Sequence, residues 1–285
     1  MGIPYAEVIG DPIAHSKSPL IHNFWLDKLR LRADYRSTRV SPPEMGAYLS
    51  ERRKDPAWLG CNVTAPLKEA ALEGVDWLQR LADKASPLAP GVGAINTIVR
   101  HADVLAGFNT DVFGILELAR EIRLLPETKY PVSHIIGAGG AARAAAVALS
   151  ATPFGSWFFF NRDAAKARNL SAEFRGHPGD GFGLERLNEP QRTSSVLVVN
   201  ATPMGMIGQP QVPIDLNLLS RNSIIFDMVY EPVETSLILQ ARELGLRVID
   251  GLEMLVGQAA PAFELLFGVA APRQHDPELR ELLTA

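Results

Sequence analysis

The sequence predicts an α/β protein of two domains, and three observations support this prediction. The chain has 285 residues, which suits two domains of roughly 100–200 residues each. Strand-like and helix-like segments alternate throughout, as they do in α/β folds with parallel sheets. Near the middle, at residues 132–151, an apolar strand runs into a glycine-rich turn and an alanine-rich helix. We therefore predict one domain at residues 111–250 and another at residues 1–110 and 251–285.

The first predicted domain alternates short apolar strands with amphipathic helices. We expect strands at residues 5–9, 34–40, 60–63, 95–100 and 104–108, the last two forming a hairpin. Helices are expected at residues 19–29, 43–53, 76–84 and 109–121. Ser18 would be the N-cap of the first helix, because Pro19 suits the first helical position.

The second predicted domain begins with the strand at residues 132–136, which is short and mainly apolar, as buried parallel strands are. Further strands are expected at residues 156–160, 196–199, 224–227 and 247–249. Helices are expected in this domain at residues 141–151 and 235–244, and helices at residues 252–267 and 276–283 follow in the part of the chain that belongs to the first domain.

The composition argues against several classes of protein. The formal net charge of −4 and the lack of a basic stripe disfavour nucleic acid and membranes as partners. Cys61 is the single cysteine, so no internal disulfide can form, and no signal-peptide or membrane-spanning pattern is present. We expect a soluble, cytoplasmic protein that is a monomer or homodimer and acts on a small molecule.

The glycine-rich turn predicts a dinucleotide site. Gly137 permits a tight turn, and Gly139 lets a pyrophosphate approach the backbone. Ala141 and Ala142 allow the helix to pack closely on the sheet, and Ala138 and Gly140 belong to the same predicted cofactor-binding turn. The helix that follows offers free N–H groups and a positive dipole end to phosphates. The alternative is a purely structural strand-to-helix turn. The strand–turn–helix–strand context favours a Rossmann-type dinucleotide-binding domain with a parallel sheet.

The end of the next strand bears on the choice of cofactor. Asn161 and Arg162 lie where an acidic residue would bind the ribose of NAD and an arginine would accommodate the 2′-phosphate of NADP. Arg162 and Lys166 favour NADP, whereas Asp163 would repel a phosphate. NADP is therefore predicted, and NAD stays possible because of Asp163.

Four polar motifs accompany the strands of the first domain. They are Ser-Lys-Ser-Pro at residues 16–19, Asn-Val-Thr-Ala-Pro-Leu-Lys at 62–68, Gly-Ala-Ile-Asn-Thr at 93–97 and Asn-Thr-Asp at 109–111. Each alone is compatible with a helix cap or a turn. Together, and in this order, they resemble the shikimate dehydrogenase family. The resemblance extends to the glycine-rich turn and to residues 161–162, 200–205, 227–230 and 251–258, and so covers nearly the whole chain.

The resemblance implies reversible NADPH-dependent reduction of 3-dehydroshikimate to shikimate, a step of aromatic amino-acid biosynthesis. It makes Lys68 and Asp111 the catalytic pair. It implies an α/β substrate domain completed by the C-terminal helices, with a cleft between the two domains. The substrate-binding residues it implies are Ser16, Ser18, Asn62, Thr64, Asn96, Tyr230 and Gln258. The residues it places beside the nicotinamide are Thr202, Met204, Met228, Gly251 and Met254.

The chemistry of this pair can be argued from the residues themselves. Reduction of a ketone needs a hydride on carbon and a proton on oxygen, and a lysine ammonium can supply that proton. A nearby carboxylate orients the ammonium but also holds its charge. The simpler alternative is a structural Lys68–Asp111 salt bridge.

Two other functions remain open. A non-catalytic dinucleotide sensor would share the fold, although it would not need a proton donor. A quinate or aminoshikimate dehydrogenase would share the chemistry; Ser18 favours shikimate, since quinate-preferring relatives often change that serine. No His-Glu-x-x-His motif occurs and Cys61 has no cysteine partner, so we predict no metal site.

Overall fold

The computed structural model of the protein describes residues 2–78, 92–123, 132–152, 156–174, 180–189 and 196–285. The chain divides into two compact units. The first contains the described residues up to Phe113 and those from Val256 onward, and the second contains those from Gly114 to Leu255.

The first unit is built on a six-stranded mixed sheet. Its strands are β1 (Tyr5–Gly10), β2 (Asp34–Arg39), β3 (Trp58–Val63), β4 (Trp77–Leu78), β5 (Thr97–His101) and β6 (Val104–Phe108). Their order is β2-β1-β3-β5-β6-β4. The pairs β1–β2, β1–β3 and β4–β6 are parallel, whereas β5 is antiparallel to both β3 and β6. The predicted hairpin is therefore confirmed.

The direction of these strands brings the predicted polar motifs to one edge of the sheet. The carboxyl ends of β1 and β3 lie side by side because these strands are parallel. Thr97, which starts β5, pairs with both Asn62 near the end of β3 and Phe108 at the end of β6. The loops that follow β1, β3 and β6, and the segment that precedes β5, therefore meet at the same edge.

Three helices follow strands of this sheet: α1 (Ser18–Lys28), α2 (Met45–Arg52) and α3 (Asp111–Arg123). The predicted N-cap role of Ser18 is wrong, because Ser18 lies inside α1 and Lys17 precedes the helix. The backbone of Lys17 is already in the right-handed helical region, and the Lys17 side chain makes no capping hydrogen bond. The Ser18 N–H instead donates to the Ser16 hydroxyl at 3.3 Å.

The helix predicted over residues 76–84 is wrong where the structure describes it. Trp77 and Leu78 form strand β4, which pairs with β6. Asp76 fixes the entry to this strand, since its carboxylate accepts a hydrogen bond from the Leu105 N–H at 2.8 Å and pairs with Arg53 at 2.7 Å. Residues 79–84 of that prediction lie outside the described residues.

The second unit is built on six parallel strands. They are β7 (Val132–Ile136), β8 (Trp157–Asn161), β9 (Gly181–Gly183), β10 (Val196–Asn200), β11 (Ile224–Asp227) and β12 (Arg247–Ile249). Its helices are α4 (Gly140–Ser150), α5 (Ala164–Glu173) and α6 (Ser236–Glu243). The order β9-β8-β7-β10-β11-β12 is the Rossmann order, with its switch point between β7 and β10. The predicted Rossmann-type parallel sheet is confirmed.

Two further helices complete the chain: α7 (Gly251–Phe267) and α8 (Asp276–Thr284). The Asp250 carboxylate caps α7 by accepting hydrogen bonds from the N–H groups of Leu252 at 3.0 Å and Glu253 at 3.2 Å. Leu279 and Leu283 anchor α8 through buried side chains. Among the described residues, no helix combines the length and the hydropathy needed to cross a membrane.

Candidate active site

Lys68 and Asp111 form a close ion pair in the first unit. Lys68 Nζ donates to Asp111 Oδ2 at 2.6 Å, and their side chains are 21% and 9% exposed. Lys68 lies in the loop after β3, and its carbonyl accepts a hydrogen bond from the Ile95 N–H at 2.9 Å. Asp111 is the first residue of α3, where the helix dipole favours a negative charge. This contact uses one of the three ammonium N–H bonds, which leaves the amine able to reach a substrate oxygen.

Asn96 holds the second oxygen of the Asp111 carboxylate. Its Nδ2 donates to Asp111 Oδ1 at 2.9 Å, and its Oδ1 accepts from the Thr110 N–H at 2.7 Å. Asn96 Nδ2 also lies 3.3 Å from Gln258 Oε1, in α7. The carboxylate is thus bound on one oxygen by an ammonium and on the other by an amide, which fixes its orientation.

Asn62 extends this network away from the ion pair. Its Nδ2 donates to Thr97 Oγ1 at 3.0 Å and to the Asn96 carbonyl at 3.3 Å. Its Oδ1 accepts from the Tyr35 hydroxyl at 2.6 Å. Sequence reasoning missed Tyr35, and it named Thr97 only as the last residue of the motif at residues 93–97. In the sequence, Tyr35 is the one aromatic residue among the polar residues of β2, and this position could have marked it as an inward-facing side chain. In the structure it is the one buried residue of that strand.

The serine and threonine motifs lie at the same edge of the sheet. Ser16 and Ser18 follow β1 and flank the start of α1, and Ser18 is 8% exposed. Thr64 follows β3, and its N–H donates to the Ile9 carbonyl at 2.9 Å, which holds the start of this loop against β1. These hydroxyls can donate to the oxygens of an anionic substrate.

The glycine-rich turn of the second unit has the geometry expected of a dinucleotide site. Gly137 has a φ of +124°, and its N–H donates to the Phe160 carbonyl at 2.8 Å. A Cβ there would lie 2.9 Å from the Ala201 carbonyl oxygen, so only glycine fits. The turn follows β7 at the switch point of the sheet, where open α/β sheets bind their ligands.

The start of α4 has room for a phosphate group. Gly139 precedes the helix, no side chain caps it, and a Cβ at Gly139 would meet no atom within 4 Å. The N–H groups of the first turn can therefore be approached by an anion. Gly140 and Ala141 supply the first two residues of α4, and Ala138 lies in the turn itself. These features fit the pyrophosphate of NADP or NAD.

The end of β8 presents the charges predicted to choose the cofactor. Arg162 and Lys166 are exposed, and Asn161 is half-buried. The Asp163 carboxylate caps α5, accepting hydrogen bonds from the N–H groups of Ala165 at 2.9 Å and Lys166 at 3.3 Å. These bonds partly neutralise its charge, which makes its presence compatible with a 2′-phosphate.

A buried polar cluster supports the loop after β10. Asn200 Nδ2 donates to Asp227 Oδ1 at 2.9 Å and to the Met204 carbonyl at 2.9 Å. Thr202 Oγ1 donates to Asn200 Oδ1 at 2.7 Å, and the Thr235 hydroxyl donates to Asp227 Oδ2 at 2.7 Å. Burial raises the pKa of Asp227 above its ordinary value. The cluster fixes the loop that carries Thr202 and Met204 beside the switch point.

The other residues predicted beside the nicotinamide have mixed surroundings. Met204 is buried in the hydrophobic core of the second unit, Met254 is 7% exposed and Met228 is half-buried. A Cβ at Gly251 would lie 2.3 Å from the Val229 carbonyl oxygen, so glycine is needed for this close approach. Tyr230 is half-buried, and burial raises its pKa, so its hydroxyl stays a donor near neutral pH. Their roles stay predictions.

Comparison with known proteins identifies the family. Residues 8–98 match the shikimate dehydrogenase substrate binding domain, and residues 251–275 match the shikimate 5′-dehydrogenase C-terminal domain. The chain is 46% identical to a shikimate dehydrogenase (NADP(+)) of Sphingopyxis alaskensis, covering 99% of this chain and 97% of the relative.

Solved structures give the same result. Shikimate 5-dehydrogenase of Thermus thermophilus, crystallised with NADP(H) and shikimate, is 34% identical with a TM-score of 0.82, covering 98% of this chain and 99% of that one. Quinate dehydrogenase of Corynebacterium glutamicum, in complex with NAD, is 27% identical with a TM-score of 0.81, covering 98% and 99%. The chain therefore belongs to the shikimate dehydrogenase family.

Proposed function

We propose that the protein is an NADP-dependent shikimate dehydrogenase that catalyses the reversible reduction of 3-dehydroshikimate to shikimate. The observation that carries this proposal is the Lys68–Asp111 pair, 2.6 Å apart at an amide- and hydroxyl-lined sheet edge. A proton donor of this kind is what ketone reduction requires besides a hydride. Membership of the family and the NADP-dependent relative support the choice of substrate and cofactor.

In this proposal the first unit binds the substrate and the second binds the dinucleotide. When bound, NADP(H) supplies or accepts the hydride. In the reducing direction the Lys68 ammonium donates a proton to the carbonyl oxygen as it becomes a hydroxyl, and in the oxidising direction the neutral amine takes that proton back. Asp111 orients the amine, and Asn96 holds Asp111 in turn, at 2.9 Å. No other proton donor is required.

The substrate carboxylate would be bound by hydroxyl groups. Ser16 and Ser18 lie at the start of α1, and Tyr230 would add a third donor. Asn62, Thr64, Asn96 and Gln258 would bind the ring hydroxyls. A site that donates to several substrate oxygens discriminates strongly against analogues that lack them.

On this proposal the partners of the protein are small molecules. We propose the cytoplasm as its compartment, because the single cysteine suits a reducing environment. A monomer or homodimer stays our expectation for its assembly.

Steady-state kinetics would test the function directly. The purified protein is incubated with shikimate or quinate and with NADP or NAD, and the reduced nicotinamide is followed at 340 nm. We expect the highest kcat/KM for shikimate with NADP. A higher value for quinate would favour the quinate alternative, which the similarity to a quinate dehydrogenase structure keeps open. Aminoshikimate belongs in the same comparison.

The same assay separates an enzyme from a dinucleotide sensor. A sensor would bind NADP without turning over shikimate, quinate or aminoshikimate. The close pairing of Lys68 with Asp111 favours the enzyme, because a sensor needs no proton donor there. Absence of turnover with every pair of substrate and cofactor would sink the proposed function.

A further inference from the structure

The hydrogen-bond network of the first unit reaches beyond the residues expected to touch substrate, and ends at Tyr35. The Tyr35 side chain is 2% exposed, and its hydroxyl lies 2.6 Å from Asn62 Oδ1. Tyr35 pairs with Ala6 of β1, and Asn62 belongs to β3 on the far side of β1. The phenol therefore extends across β1 to reach Asn62.

The direction of each hydrogen bond in this network is fixed by backbone groups at two points. Asn62 Nδ2 faces the Asn96 carbonyl, which can only accept, so Asn62 Oδ1 must be the atom that faces Tyr35. Asn96 Oδ1 faces the Thr110 N–H, which can only donate, so Asn96 Nδ2 must face Asp111. Tyr35 must therefore be a donor.

Donors then run in one direction from Tyr35 to the catalytic carboxylate. The Tyr35 hydroxyl donates to Asn62, Asn62 donates to Thr97, Thr97 donates to Asn96 Oδ1 at 3.2 Å, and Asn96 donates to Asp111. Burial raises the pKa of Tyr35 well above its ordinary value, so the hydroxyl keeps the proton that it donates.

Tyr35 itself is held on two sides. The Asn23 side chain donates to the Tyr35 carbonyl at 2.8 Å and accepts from the Tyr35 N–H at 3.0 Å, which satisfies the outer edge of β2. The His22 ring stacks on the phenol with centroids 4.0 Å apart and an angle of 5° between the planes. His22 in turn packs against Trp25 and Phe263. These contacts fix the position of the Tyr35 ring.

We propose that Tyr35 is a positioning residue for the substrate, which acts through the Asn62 amide. Without its hydroxyl, Asn62 Oδ1 loses the donor that holds it and the amide is free to turn. Asn62 would then no longer present a fixed acceptor to a ring hydroxyl through Oδ1, or a fixed donor to Thr97 through Nδ2. This inference rests on the proposed function, because shikimate is the ligand in which its effect is measured.

The test is the variant Tyr35→Phe, with shikimate binding measured by calorimetric titration and kinetics measured at 340 nm. We expect the Kd and KM for shikimate to rise roughly 3- to 10-fold, the usual value of one buried hydrogen bond, and the KM for NADP to change less than about twofold. A merely structural role would reduce the active fraction and leave both KM values unchanged.

Tyr5→Phe is the matched control. Tyr5 is also buried, and its hydroxyl donates to Asp55 Oδ2 at 2.7 Å, but it lies at the start of β1, away from the edge that carries the site. Like Tyr35→Phe, the Tyr5→Phe variant loses one phenolic hydroxyl, here from β1, the strand next to β2. We expect its KM for shikimate to equal that of the unaltered protein. Equal effects of the two variants would overturn the inference.

A double-mutant cycle tests the route through Asn62. Asn62→Ala should raise the Kd for shikimate by itself, and Tyr35→Phe should add nothing in that background. An additive effect of Tyr35→Phe, or an unchanged Kd in Asn62→Ala, would overturn the inference even if Tyr35→Phe folds poorly alone. If the unaltered protein binds no shikimate, it is the proposed function that fails, and the inference with it.

Discussion

The Lys68 amine is the proton donor in the proposed reaction, so its removal should affect the chemical step more than binding. We expect Lys68→Met to lower kcat by roughly 10²- to 10⁴-fold, the usual contribution of a positioned general acid, with a much smaller rise in the KM for shikimate. Single-turnover rates and steady-state kinetics measure the two effects.

The control for this variant is Lys54→Met, since Lys54 is an exposed lysine that lies between α2 and β3. Its kinetics should equal those of the unaltered protein. If Lys68→Met instead raised KM and left kcat unchanged, Lys68 would be a binding residue and the Lys68–Asp111 pair an anchor for substrate.

We predict that the charge of Asp163 affects how well a 2′-phosphate is tolerated at the end of β8. Its carboxylate caps α5 and lies beside the exposed Arg162 and Lys166. Asp163→Thr keeps a capping oxygen and removes the negative charge, so kcat/KM for NADP relative to NAD should rise roughly 2- to 5-fold, since an exposed charge contact is worth up to about 1 kcal/mol. Steady-state kinetics with both cofactors measure the ratio.

Asp163→Asn serves as the matched variant, because it preserves shape and cap and changes only the charge. Both variants should shift the ratio alike. An unchanged ratio in both would mean that the carboxylate is fully occupied by the helix N–H groups and does not act on the cofactor.

At the scale of elements, two glycines in one turn should respond differently to a side chain. Gly137 has a φ of +124° and no room for a Cβ, so Gly137→Ala should lower the free energy of unfolding by roughly 1–3 kcal/mol. Gly139 has an ordinary φ of −100° and open space, so Gly139→Ser should preserve stability. Its hydroxyl would cap α4 and occupy the predicted phosphate position, so the KM for NADP should rise at least tenfold.

Urea unfolding and NADP titration together check this contrast. A Gly139→Ser variant that binds NADP normally would show that the pyrophosphate does not lie at the start of α4. A Gly137→Ala variant as stable as the unaltered protein would contradict the steric argument based on the Ala201 carbonyl.

The elements that the sequence predicted best are those whose pattern is local. Strands β7 and β10 are short, mainly apolar segments because they are buried in a parallel sheet, and the glycine turn follows from backbone geometry alone. Strands β4 and β9 were missed because they have two and three residues and exist only through pairing with β6 and β8. Helix α5 was missed as an element, although its residue Lys166 was named.

Within the candidate site the same distinction holds. Lys68 and Asp111 belong to short sequence motifs that can be recognised without knowledge of the fold. The structure places Lys68 Nζ 2.6 Å from Asp111 Oδ2. Tyr35 is separated from Asn62 by 27 residues, and only the strand order β2-β1-β3 brings them together. Long-range hydrogen bonds of this kind depend on sheet order and register, which no local pattern reports.

For the whole molecule, acid stability should depend on one buried histidine in each unit. His22 in the first unit and His134 in the second are 1% and 0% exposed, and burial lowers their pKa values to about 3 and about 4. The unfolded chain takes up a proton at each site near pH 6.5, whereas the folded protein does not. The contribution of these two histidines to stability is therefore fully present above about pH 6.5, and it is lost as the pH falls toward about 4 for His134 and about 3 for His22.

The size of the effect follows from the shift. Between pH 7 and pH 5, His134 should remove roughly 2 kcal/mol of unfolding free energy from its unit. His134→Leu cannot take up a proton, so the unfolding free energy of the second unit should fall by about 2 kcal/mol less over this interval.

The control variant is His101→Leu, because His101 is an exposed histidine in the hairpin of the first unit. Its loss of stability between the two pH values should equal that of the unaltered protein. Urea unfolding at the two pH values measures the difference. If His134→Leu lost as much stability as the unaltered protein, a polar partner or a proton on the His134 ring would have to be present in the folded core.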